Sequence, residues 1–387
     1  MAFDPVAATA QYIDSLGAPA LAKAAAYTTG GHWLLLWNLL VTALVTWVFV
    51  RSGLLAKIEQ RLQSRGPFLR AFLISAAFLL LSTLLTLPWS LYSDWWRETS
   101  YGRTSQPLSD YLGQSAISLA LSTVIGGLFL AGVYALIRRT GKRWWLWSGG
   151  LVAVGAAAMM LLAPMFIQPL FNKYSPVPPG EVRDALVKMA DEANIPADRI
   201  FIYDGSRQSN NFTANAGGIG SAARIAISDV ALKGASLDEV KAVTGHEIGH
   251  YVLGHTWRGV AFVTVMAVLF FFLADRLFGK FARAFGTGGG IGEPTTLPVL
   301  LFIVSVLSLL AQPVSSTFSR LDETEADQYS LRTVNLPDAL ASALVKTAEY
   351  RNPRPGALEE VLFYDHPSVE GRVRMAMEWK AAHPSAE

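Results

Sequence analysis

His246-Glu247-Ile248-Gly249-His250 is the stretch around which the rest of the chain has to be read. On a helix the two histidines stand at i and i+4, so both imidazoles leave one face about one turn apart. A single zinc ion can accept both nitrogens, and Glu247 beside them is placed to hold a water and take its proton. The stretch before it reads as a helix start. Ser236 as N-cap and Glu239 three residues later form a capping-box pattern, and Leu237, Val240, Val243 and Ile248 keep helical spacing. A charged helix with two incidental histidines is the bland alternative. The chain has only six histidines, and two fall in this pattern with a glutamate between them.

Composition sets the surroundings. Of 387 residues 52% are hydrophobic and only 16% charged, against about 25% charged in average soluble domains. With a mean hydropathy of +0.33 and 11 tryptophans, the chain reads as an integral membrane protein in contact with a lipid bilayer. A net charge of +2 argues against a nucleic-acid partner. There is no cysteine, so any zinc site must use histidine and carboxylate.

Six stretches reach the ~20 apolar residues that a bilayer requires: 32–50, 70–92, 115–137, 146–168, 258–278 and 296–317. Pro313 and polar neighbours predict that the lower end of the last one kinks or leaves the lipid. Trp33, Trp89, Trp95, Trp96, Trp144, Trp145 and Trp257 cluster at span ends, as interfacial aromatics do. The expected organisation is an N-terminal helical or interfacial arm at 1–31, spans within 32–168, a soluble segment 169–257, two spans within 258–317 and a soluble segment 318–387. Gly279 to Pro294 reads as a flexible connector.

Loop charge orients the spans. Arg51, Lys57, Arg61, Arg65 and Arg70 follow span 1; Arg138, Arg139, Lys142 and Arg143 follow span 3; Arg276, Lys280 and Arg283 follow span 5. On the other side the N-terminal arm has only Lys23 and the loop after span 2 only Arg97 and Arg103. The positive-inside rule puts the first set in the cytoplasm and both soluble segments opposite, which for a bacterial inner membrane is the periplasm.

In the first soluble segment, 181–193 reads as an amphipathic helix and 200–203 and 224–228 as strands. The glycines Gly217, Gly218 and Gly220 lack the Lys-Ser/Thr ending of a phosphate loop. A strand edge here is better suited to pair with an extended peptide.

A catalytic zinc takes three protein ligands and keeps one position open. His255 follows His250 by five residues, one short of the longer three-histidine pattern. Glu323 and Asp327 share a helix face at i and i+4, so Glu323 can ligate while Asp327 orients a histidine; Glu325 points elsewhere on that helix. His366, before Pro367, could donate to a developing oxyanion.

The ensemble resembles the integral-membrane CAAX prenyl proteases, zinc endopeptidases of the glutamate-ligand (gluzincin) type. The matching stretches are Leu-Pro-Trp-Ser-Leu-Tyr at 87–92, Ile-Gln-Pro-Leu-Phe-Asn-Lys-Tyr-Ser-Pro at 167–176, Asp-Gly-Ser-Arg at 204–207 and Arg-Ile-Ala-Ile-Ser-Asp at 224–229. They continue with His-Glu-Ile-Gly-His-Tyr-Val-Leu-Gly-His-Thr at 246–256, Ser-Arg-Leu-Asp-Glu-Thr-Glu-Ala-Asp at 319–327 and His-Pro at 366–367. The resemblance implies a mainly α integral membrane fold. A ring of about six transmembrane helices would enclose a chamber, capped by a gluzincin-type zinc protease domain with a small β-sheet. It implies that His246, His250 and Glu323 bind Zn2+, that Glu247 is the base and that Asp327 supports the ligands. His366 and Arg372 would line the substrate cleft, and Thr213, Ala214, Asn215 and Gly218 the substrate edge strand.

Three departures accompany the match. Six spans are counted against seven in the family's eukaryotic members. Thr213 stands where the family's edge motif has asparagine. Loop charge favours the side opposite to the eukaryotic site. The expected function is hydrolysis of peptide bonds in membrane-associated, prenylated or misfolded proteins. The competing readings are a non-enzymatic membrane partner or transport component with a vestigial metal site, and a zinc-dependent lipid or amide hydrolase.

Overall fold

Apolar runs and glycine turns place the helices of the computed structural model, which describes residues 3–218, 223–347 and 351–384. Among these, five helical segments are long and apolar enough to cross a membrane: Gly17–Ser52, Pro67–Ser100, Leu108–Leu170, His255–Phe285 and Pro294–Thr333. The third is two limbs. A tight turn at Gly141–Arg143 folds 108–140 back along Trp144–Leu162, so closely that a methyl added at Gly132 would sit 3.0 Å from Leu151 Cδ2. The six expected spans are thus six limbs. Each packs on the next in chain order and the last packs on the first, which closes a ring. Its outer face is apolar; Trp33, Leu36, Trp37, Leu40, Leu44 and Trp47 are all exposed on the first limb alone. Such a surface suits lipid and not water. Between the first and last limbs, Leu35, Leu39, Val304 and Leu309, with Asn38 and Gln312, line an open and mostly apolar hollow of about 430 Å³.

The ring differs from expectation at several boundaries. Residues 17–31 belong to the first long helix, because their alanines favour helix and nothing interrupts it before Gly53. The remaining arm is the helix Pro5–Asp14, N-capped by Asp4. It is not interfacial: Ile13 is fully buried beside Leu340, Val373 and Met377. The second helix runs past residue 92 to Ser100 through a π turn at Leu91–Trp96. Trp144 is buried, with its indole N–H donated to Asp275 at 2.8 Å, and is no interfacial anchor. Gly279 lies within the helix His255–Phe285, and the connector after it is ordered by the Glu293 carboxylate, which accepts from Gly290 N–H at 2.9 Å. Pro313 sits inside an unbroken helix, Leu297–Thr333, whose end does leave the lipid-like ring and enters the soluble cap.

The cap is built from both soluble segments and the arm. Four short strands, β1 (Tyr174–Pro176), β2 (Ile200–Tyr203), β3 (Ala214–Gly217) and β4 (Arg224–Ser228), form one sheet in the order β1-β2-β4-β3. β4 is parallel to β2 and antiparallel to β3, with Ala214 opposite Ile227. The expected edge strand therefore exists as β3, although Ile219 and Gly220 lie outside the described residues. Beneath the sheet Leu186, Ala190, Ile225, Ile227, Val240 and Ile248 make a core shared with the helix Leu237–Val252. The arm packs on the C-terminal helix Val369–Ala382, so six limbs and a shared cap put both ends of the chain on one side of the ring.

Leu237–Val252 also lies against the end of Leu297–Thr333, and glycine makes the approach possible. A Cβ at Gly249 would stand 3.2 Å from Ala326 Cα and 3.0 Å from Tyr329 Cβ; one at Gly245 would stand 2.5 Å from a methyl of Val334. Ser330 Oγ donates to Ala242 O at 2.7 Å across the same seam. Gly249→Val should therefore force the helices apart and cost about 1–3 kcal/mol. Thermal unfolding of chelator-treated protein in detergent is expected to show a lowered midpoint; an unchanged midpoint would mean that the seam has room for a side chain.

Candidate active site

The helix Leu237–Val252 begins as its sequence requires. Ser236 Oγ accepts from Glu239 N–H at 3.2 Å, and the Glu239 carboxylate accepts from Ser236 N–H at 2.7 Å. Glu239 is further held by Lys346 at 2.6 Å and Ser342 at 2.7 Å. With the helix start pinned and two glycines against the neighbouring helix, His246 and His250 are turned toward Glu323.

The three meet at their reactive atoms. His246 Nε2 and His250 Nε2 are 3.1 Å apart, His246 Nε2 is 3.3 Å from Glu323 Oε2, and His250 Nε2 is 3.4 Å from Glu323 Oε1. Ligands about 2.1 Å from a tetrahedral ion are separated by about 3.4 Å, so these spacings are those of a metal site. Glu323 Oε2 is buried and makes no hydrogen bond among the described residues, an orphan that a cation would satisfy. The carboxylates of Glu323 and Asp327 share the guanidinium of Arg372, at 3.6 Å and 2.7 Å. Two imidazoles and a carboxylate are a donor set that suits zinc.

Asp327 is fully buried and lies 2.8 Å from His246 Nδ1. An ionised carboxylate only accepts, so Nδ1 carries the proton and Nε2 presents its lone pair toward Glu323. Arg372 grips Asp327 with two parallel bonds of 2.7 Å. Arg372 borders the cleft, as expected, but its main partner is Asp327; no local pattern in the sequence announces that pair. Burial lowers the affinity of His246 for a proton, while the carboxylates of Asp327 and Glu323 raise it, to a pKa of about 10; a cation that binds there displaces the proton from Nε2. Burial pushes Glu247 above the usual carboxylate range, opposed by the two histidines, and a raised carboxyl pKa suits a group that must both take and release a proton.

The cleft above these atoms has a volume of about 480 Å³. Phe212, Thr213 and Ala214 form one wall, His246, Glu247 and His250 the floor, and His366 and Arg372 the far side. His366 Nε2 lies 3.4 Å from Glu323 Oε1, and its side chain is 39% exposed. Asn215 is paired within the sheet opposite Ala226, and Gly218 borders a separate hollow beside Tyr251 and Trp257. Arg103 and Arg351, which sequence reasoning did not single out, also line the cleft. His255 is not in the ligand set: its Nδ1 faces His250 Nδ1 at 2.8 Å, on the side away from Glu323. Glu325 is not simply solvated, because it meets His255 Nε2 at 3.1 Å.

Residues 8–173 match the family described as CAAX prenyl protease N-terminal, five membrane helices, and residues 176–380 match peptidase family M48. The chain is 30% identical over 340 residues to the uncharacterized metalloprotease YhfN of Bacillus subtilis, covering 85% of this chain and 79% of that protein. It is 29% identical over 360 residues to CAAX prenyl protease 1 of Saccharomyces cerevisiae, covering 87% and 76%. The crystal structure of S. mikatae Ste24p superposes with a TM-score of 0.69 at 27% identity, covering 80% of this chain and 76% of that one.

The donor geometry makes a direct prediction. Glu323→Ala should purify with little bound metal, whereas Asp327→Asn should retain a site weakened by about 10–100-fold. Elemental analysis after dialysis checks both; normal occupancy in Glu323→Ala would move the third ligand to Glu325 or His255.

Proposed function

The chain belongs to peptidase family M48 and is a membrane-embedded metalloendopeptidase, and from that premise we propose that it holds Zn2+ on His246, His250 and Glu323 and cleaves extended segments of membrane-associated proteins. The observation that carries the zinc reading is the tetrahedral spacing of the three donor atoms with Glu247 in the same cleft.

When bound, the cation supplies a Lewis acid that makes a water acidic and polarises a carbonyl. The remaining work falls to this chain's own groups. β3 is the last strand of the sheet, with a partner on one side only among the described residues, and its start borders the cleft. An extended peptide can add to it by main-chain hydrogen bonds, which aligns a scissile bond over Glu247. Glu247 takes a proton from the attacking water and passes it to the leaving nitrogen. His366, whose Nε2 already faces the cleft 3.4 Å from Glu323 Oε1, stabilises the developing oxyanion. Asp327 keeps His246 in the tautomer whose Nε2 is free.

For substrates we propose lipidated or misfolded membrane proteins; prenylated CAAX proteins, made in the cytoplasm, are substrates only of a cap on the cytoplasmic side. Relatives named as CAAX prenyl proteases support this. The protease cap is assigned to the periplasmic side of a bacterial inner membrane on loop charge.

Glu247→Gln is expected to keep its metal and to lose turnover by about 10²–10⁴-fold, measured as cleavage of an unstructured protein in detergent. A chelator should abolish wild-type cleavage; full activity in the variant would sink the assignment of the base. An alkaline phosphatase fused to the C-terminus is expected to be active, and an inactive fusion with an active cytoplasmic reporter would put the site on the cytoplasmic side.

A further inference from the structure

Each histidine of the donor set has a second nitrogen, and the two are backed differently. His246 Nδ1 reaches a carboxylate directly, Asp327, which Arg372 holds. His250 Nδ1 reaches another imidazole, that of His255, at 2.8 Å. His255 is 4% exposed, and its Nε2 lies 3.1 Å from Glu325 Oε2. Glu325 is gripped by Arg258 at 2.9 Å, and Arg258 also pairs with Asp322. Both arms thus end on a carboxylate held by an arginine, one with an imidazole interposed.

We infer that His255 is a positioning residue that fixes the tautomer of His250 and so sets the affinity of the metal site. The inference rests on His246, His250 and Glu323 being the ligands. Its chemistry is forced by donor and acceptor counting. Glu325 only accepts, so His255 carries its proton on Nε2. A neutral His255 then has a bare Nδ1, which must accept. The facing Nδ1 of His250 must donate, and its Nε2 is left as a lone pair turned toward Glu323. The opposite polarity would place a proton on His250 Nε2, where it would block ligation. This also accounts for a spacing one residue short of a three-histidine motif. Gly254, at φ +71, starts the next helix so that His255 comes up behind His250 and not beside it.

The test uses full-length protein in detergent, stripped and titrated with Zn2+ against a chromophoric chelator, with Co2+ absorption as a report on coordination. His255→Ala should bind one Zn2+ about 10–100-fold more weakly. His255→Asn should recover most of that loss, because its Oδ1 can stand where Nδ1 stood and accept from His250. His255→Gln should not, because its amide reaches the Nε2 position and leaves His250 Nδ1 without an acceptor. Glu325→Ala should weaken binding by less than His255→Ala. Equal affinity in His255→Ala and wild type overturns the inference, and so does equal affinity in the Asn and Gln variants, a comparison that stands even if the alanine variant does not fold. Loss of stoichiometric Zn2+ in His255→Ala with retention in Glu323→Ala would make His255 a ligand and overturn the ligand assignment as well. Unchanged unfolding midpoints of the metal-free Asn and Gln variants exclude a merely structural loss.

Discussion

The close crossing of Leu237–Val252 over the end of Leu297–Thr333 is the contact on which the site depends. Its ligands lie in segments separated by two membrane limbs, and no local sequence preference brings them together. What permits it is the absence of side chains at Gly245 and Gly249, each one position before a ligand histidine. At i and i+4 the glycines form a stripe on one face, and the histidines form a second stripe rotated by one residue. The first lets the neighbouring backbone come within contact; the second then meets Glu323 at ligand distance.

That crossing also buries charge. Asp327 and Glu323 are buried beside partly buried Arg372 and Glu247, and ions are costly to remove from water unless they are paired and hydrogen-bonded. The pairing is nearly complete at Asp327, which has Arg372 on both oxygens and His246 besides. It is incomplete at Glu323, whose Oε2 has no hydrogen bond among the described residues. A protein that satisfies one buried carboxylate fully and leaves its neighbour on the same helix short is organised around an ion at that point. The apolar groups set the shape; the carboxylate oxygen without a hydrogen bond among the described residues, 3.3 Å from His246 Nε2, marks what the shape is for.

Much of this was legible in the residues. The capping box at Ser236, the helical spacing to His250, the strands at 200–203 and 224–228 and the six apolar limbs all rest on local periodicity, which short-range physics enforces. Glu323 and Asp327 could be paired with the histidines through their own i, i+4 spacing. What escaped depends on contacts between distant elements. Ile13 buried beside Leu340 in the cap, Trp144 bonded to Asp275, and Arg372 holding Asp327 join residues 327, 131 and 45 positions apart. Nothing in the neighbourhood of either partner signals the other. His255 was weighed only as a ligand, because spacing alone counts nitrogens near an ion and says nothing of a nitrogen reached from behind.

The long helix also ties the chemistry to the membrane surface. Glu323 follows Leu297 by 26 residues in one unbroken helix, a rise of about 39 Å, while the hydrocarbon core is about 30 Å thick. Starting the apolar run at one face of the bilayer puts Glu323 within about 10 Å of the opposite face, and any tilt brings it closer. From the other ligand element the result is the same. His250 precedes the start of the helix His255–Phe285 by only five residues. A metal site hung on the ends of two membrane limbs cannot rise far above the lipid. A site so close to the lipid favours peptide bonds whose own chain lies at the interface, and helix length alone supplies this bias toward the substrate class proposed above, before any side chain in the cleft has made a choice.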